Sequence, residues 1–202
     1  METIPLRAAV GSLGKRLLIF TVAAGLFCGR ATPRTPPAAD PAENAKKIEV
    51  RNNAASLLAD LLGNEKNVSK ILIIKHNSAE LGRLIKLISK TAGDGAQELQ
   101  ALAKRDTTLD LHTLQLPPGE VATRAAISKT MEHELIFSSG EKFELNLLLT
   151  QTDALDYGSH LAKVAAENSP SPEQQKKFHS LDVSLNARLQ EVVAKLRALP
   201  GK

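Results

Sequence analysis

The residues best suited to chemistry in this chain are Asp153, Asp156, Tyr157 and His160. Steps of three and four put them on one flank of a helix. A carboxylate beside an imidazole can hold a divalent cation, or act as a base and acid pair. The plainer alternative is a polar edge in which Asp156 and His160 meet across one turn, a contact of about 0.2–0.5 kcal/mol. Glu132, His133 and Glu134 place three ligand types in a row. Consecutive helical residues point about 100° apart, so that run reads as a solvated face. Gln151 lies at the edge of an apolar seam. A buried amide needs a hydrogen-bond partner, so it either fixes helix register or meets a ligand.

Several other chemistries are excluded by what the sequence lacks. A di-iron bundle uses Glu-x-x-His, because side chains at i and i+3 reach one ion. Three residues before the five histidines stand Ile73, Leu109, Thr130, Tyr157 and Lys176, none of them an acid. No G-x-S-x-G elbow and no glycine-rich phosphate loop occurs. The single cysteine, Cys28, lies in an apolar N-terminal stretch. The part expected to fold therefore has no disulfide, cysteine-ligated zinc or iron–sulfur site, and no thiol nucleophile. Cys28 is a candidate for lipid attachment, although Phe27 stands where such sites carry a small residue; otherwise it is one more apolar residue of the leader.

The elements that must position these side chains read as helices. Phe143 to Ala166 carries apolar residues at Phe143, Leu147, Leu148, Ala154, Leu155, Leu161, Val164 and Ala165, one stripe on a long central helix. Asp40-Pro41-Ala42-Glu43 starts a first helix to about Leu62, with Gly63-Asn64 as its stop. Residues 67–76, with the run ILII, read as more helix, a short buried strand being the alternative. Asn77-Ser78 caps a helix to about Lys104, seamed by Leu81, Leu84, Ile85, Ile88, Ala92, Leu99 and Leu102. Gly93 and Gly95 weaken that helix by about 1 kcal/mol each, or let a neighbour approach closely. After a leucine-bearing loop over residues 105–119, Pro117-Pro118-Gly119-Glu120 opens another helix, and Ser171-Pro172-Glu173 opens the last. Together these predict an all-α fold, an antiparallel four-helix bundle with an extra N-terminal helix.

The first residues look like a targeting segment. Lys15-Arg16 closes a basic region, and Leu17–Cys28 is an apolar run suited to a signal core but short for a bilayer span of about 20 residues. Cleavage after Ala31 would leave Thr32; an uncleaved membrane anchor is the alternative. The expected divisions are 1–31 for targeting, 32–41 as a Pro/Ala-rich tether, and 42–200 as the helical bundle. The net charge of +4 belongs mostly to the leader, which holds four basic residues against Glu2 and leaves 22 basic and 21 acidic residues. With no Trp and one Tyr, the remainder has neither the basic face nor the stacking platforms of a nucleic-acid module.

At Ser139-Gly140, Phe143, Glu144 and Gln151 the chain resembles the ferritin-like four-helix bundles of unknown function that many bacteria export, often described as outer-membrane proteins. Leu147 and Leu155 stand where that pattern has an aromatic and a His. The resemblance covers about residues 78–198 and implies the fold and export. The block Leu116–Glu120, with Phe143, Leu147–Gln151 and Tyr157–Leu161, looks like a distinct branch.

The expectation is an exported or membrane-tethered protein of the periplasm or cell envelope that binds an envelope protein or scaffolds. No catalytic residue and no cofactor is expected. The membrane would be met through the N-terminal segment, and nucleic acid is not a partner. The alternative is a ferritin-like metal-binding or redox protein holding a divalent ion through Asp153, Asp156 and His160 in a degenerate site.

Overall fold

The computed structural model describes residues 40–75 and 77–199. The targeting segment, Cys28 and all but the end of the tether lie outside the described residues. Those described are helical apart from loops and turns.

Helix α1, Pro41–Glu65, starts as its sequence dictates: the Asp40 carboxylate accepts from the Ala42 amide at 3.0 Å and Pro41 takes a position that needs no amide donor. It runs through Gly63-Asn64, the expected stop, to Glu65. A 3-10 turn at Val68–Lys70 leads into α2, Ile71–Ile74. Helix, not strand, is therefore the outcome for the ILII run. It is not buried, however, because Ile73 is 82% and Ile74 67% exposed. Helix α3, Ala79–Arg105, is capped by the Ser78 hydroxyl, which accepts from the Leu81 amide. Helix α4 spans Pro118–Phe137, α5 Gly140–Glu167 and α6 Pro172–Arg197. The chain turns from α4 into α5 through Gly140, at φ 57, where a side chain would be strained.

Helix α5 packs against α6 and α1, and α3 packs against the same two. Their apolar sides close on one core that includes Leu58, Leu62, Ile85, Ile88, Leu148, Leu155, Phe143, Phe178 and Leu185. The seams read from α3 and α5 supply most of their expected members. Two glycines allow close approaches between helices. A Cβ on Gly95 would meet Leu181 at 3.0 Å and Leu62 at 3.1 Å, and one on Gly158 would meet Leu61 at 2.9 Å and Leu185 at 3.3 Å.

The N-terminal helix is not peripheral. Helix α1 buries Arg51, Ala54, Ala55, Ser56, Leu58 and Leu62, so it belongs to the core. Helix α4 is the outlier: it leans on α5 and buries only Leu135. The physical reason is the loop before it. Leu109 and Leu111 are buried on the core, and α4 then packs outside α5. Among the described residues no helix is long and apolar enough to cross a membrane.

Candidate functional site

The flank of α5 divides when its neighbours are added. Asp153, Asp156 and His160 are exposed. The His160 Nδ1–H donates to the Asp156 carbonyl at 2.9 Å and lies 3.7 Å from the Asp156 carboxylate. This is the one-turn contact of the plainer reading. Tyr157 turns toward α4 instead. Its hydroxyl accepts from Arg124 Nη2 at 3.0 Å, and the guanidinium lies 5.2 Å from the ring centroid. Arg124 also donates to Glu120 at 2.7 Å, and the bonds to Tyr157 and Glu120 raise its already high pKa. Tyr157 is thus part of the seat for α4.

Across a groove from His160, α6 presents His179 and Asp182. The Ser159 hydroxyl donates to Asp182 Oδ1 at 2.8 Å, and His179 Nδ1 is 3.7 Å from Asp182 Oδ2. The order is Ser–Asp–His. The serine is bonded to an acid rather than to the imidazole that would have to take its proton, so this is not an activated nucleophile. Among the described residues no three His, Cys, Asp or Glu side chains are placed to hold a metal ion. His133 packs on Phe137 with ring centroids 4.3 Å apart, and its neighbours Glu132 and Glu134 are exposed.

Gln151 is buried at the α1–α5 contact, 1% exposed. Its partner is Glu65, which sequence reasoning missed. Burial pushes the Glu65 carboxyl above its ordinary range, and the hydrogen bond with Gln151 opposes that shift. Glu65 Oε2 and Gln151 Oε1 are both sealed from solvent without a hydrogen-bond partner. Protonation of Glu65 would turn one buried acceptor of this pair into a donor.

A larger polar network was also missed. Arg51, fully buried, donates to Asp106 at 3.1 Å, to Gln174 at 3.2 Å, to the Thr108 carbonyl at 2.7 Å and to Asn52. Burial alone would raise the Asp106 carboxyl. Hydrogen bonds from Thr108 and Gln174, with the Arg51 charge, outweigh burial and hold its pKa at about 2. The available sequence signal was a charged residue at a seam position, three after Ile48 and four before Ala55. Every donor has an acceptor in the fold, so the cluster joins α1, the end of α3 and the start of α6. It offers no vacancy for a substrate.

The chemistry of the molecule is therefore dispersed: a histidine-lined groove, a buried acid–amide pair and a structural arginine cluster. Comparison with protein-family models, with curated proteins and with solved structures gave no match.

Proposed function

We propose that this chain is an exported or membrane-tethered helical-bundle protein of the cell envelope whose role is to bind a partner, with α4 as the partner-facing element. The observation that carries the reading is the state of α4. This 20-residue helix buries only Leu135. Val121 and Ile127 are about half exposed, and Phe137 is 74% exposed. Most helical stability in proteins comes from packing an apolar face, and apolar surface left outside a core marks a contact site. Export rests on the basic and apolar leader at residues 1–31.

A ferritin-like topology is part of the proposal. Its support is the pairing of helix positions. Arg51 meets Asp106 while Leu62 lies at Gly95; Leu58 lies at Gly158 while Glu65 meets Gln151. Arg105 meets Glu173 while Lys195 meets Glu80, and Ser159 meets Asp182 while Glu144 lies by Lys195. Each pairing runs in opposite directions along the two helices. These pairings support two antiparallel hairpins, α1/α3 and α5/α6, joined by a long crossover that carries α4.

The test is a photo-crosslinking residue at Ala126 or Ile127, on intact cells expressing the full chain. A discrete adduct from α4, absent from Val183 on α6, supports the reading. Loss of both adducts contradicts it. The alternative, a divalent-metal role, is favoured only by the two imidazoles, His160 and His179, that line one groove. Near-stoichiometric iron, manganese or zinc, lost in His160→Ala, would establish it.

A further inference from the structure

Helix α4 is held unevenly along its length. From Pro118 to Thr130 every residue is exposed except Arg124. The side-chain bonds of Thr123 and Thr130, and that of Arg124 to Glu120, stay within the helix. Among the described residues, one hydrogen bond ties this stretch to another element: Arg124 Nη2 donates to the Tyr157 hydroxyl, and the guanidinium lies over the Tyr157 ring. Tyr157 is itself partly buried against the core, so the anchor point is firm. The start of the helix adds little, because Pro117 at the cap position has no side-chain acceptor for the first free amides. The other end is pinned. Leu135 and Ser138 are buried, Met131 is half-buried, and the Lys75 ammonium donates to the carbonyls of Ile136 and Ser138.

We propose that residues 118–130 stay ordered only while Arg124 rests on Tyr157, so that this contact is a latch and residues 131–140 are its fixed base. The latched stretch is about 20 Å of helix, and a piece that short is marginal in water once nothing holds its side. Loss of the latch therefore unwinds it from Pro118 back to the base, which keeps its buried side chains and its lysine clamp. The change is a local order–disorder transition. It leaves the core shared by α1, α3, α5 and α6 untouched, since residues 118–130 supply none of that core. The inference rests on the binding reading only for its use. Val121 and Ile127 lie on this stretch, so a partner that reads them from a helix meets them only in the latched state.

The test is amide hydrogen exchange on the full chain, read in peptides that separate residues 118–130 from 131–137. In the parent the first group should exchange about tenfold faster than the second. Arg124→Ala removes the latch while installing a better helix former, and Tyr157→Phe removes the hydroxyl alone. Each should speed residues 118–130 by about fivefold further, the factor set by one net hydrogen bond, and leave 131–137 and α5 unchanged. Lys129→Ala removes an exposed charge from the same stretch without touching the latch, and should not speed it. Equal protection of the two groups in the parent overturns the inference. So does a stretch 118–130 that ignores both latch variants, or a response of the same size in 131–137. Crosslinking from α4 reads the other claim separately. An evenly protected α4 that still gives the adduct from Ala126 or Ile127 removes the latch and leaves the partner reading standing, and a latch seen by exchange with no adduct does the reverse.

Discussion

Arg51 Nη1 meets the Asp106 carboxylate at 3.1 Å, in a site where the arginine is wholly buried and the aspartate side chain 25% exposed. Their sequence separation is 55 residues, so the pair ties α1 to the end of α3. Removing one member of a buried pair leaves the other uncompensated, at about 3–5 kcal/mol. Arg51→Ala should therefore lower Tm strongly, whereas Arg51→Met, paired with Asp106→Leu, should recover much of the loss. Melts of the two variants beside the parent check this. The pH dependence has a defined sign. The Asp106 pKa is lowered from 3.8 to about 2, so its stabilising effect is complete above pH 3.8 and is lost as pH falls through about 2. The Asp106→Asn variant should be flatter than the parent across that window.

Glu65 predicts the opposite slope. Its carboxyl is raised by burial. An acid raised in the fold favours folding below its ordinary pKa of 4.5 and loses that advantage as pH rises through the folded value. Glu65→Gln keeps the shape and removes the charge. It should stabilise the protein by about 1 kcal/mol at pH 7 and by nothing near pH 3. Thermal melts at the two pH values give the answer.

The glycines separate packing from propensity. Nothing lies within 4 Å of a Cβ on Gly63, so Gly63→Ala should gain about 0.5–1 kcal/mol from helix propensity alone. Gly95→Ala carries the same propensity gain but presses on the buried Leu62 and Leu181, and should be a net loss of about 1–2 kcal/mol. Equal effects at the two positions would mean that the α1–α3–α6 contact is looser than described.

Much of this architecture was legible in the residues, and the exceptions share a cause. The caps at Asp40 and Ser78 and the stripe from Leu81 to Leu102 are local patterns, and they form as their spacing dictates. Periodicity shows that a helix has an apolar side, not whether another element covers it. For that reason α4, with Val121, Ile127, Met131 and Leu135, read as an ordinary bundle member, and α1 read as the extra one. Apart from Asn52, the partners of Arg51 lie 55, 57 and 123 residues away, beyond any pattern within a helix. On the candidate flank, the Asp156–His160 contact was visible because it is local, while the capture of Tyr157 by Arg124, 33 residues earlier, was not.

Helix α4, which buries only Leu135, is the element we propose to be held weakly by its own fold and completed by a partner. Amide hydrogen exchange on the purified full chain, resolved by helix, tests it most directly. With Leu135 and the Arg124–Tyr157 contact as its main supports, α4 should exchange at least tenfold faster than α1, α5 and α6, and Tyr157→Phe should speed α4 further without moving the other helices. Protection of α4 equal to that of α5 in the isolated chain would contradict the account.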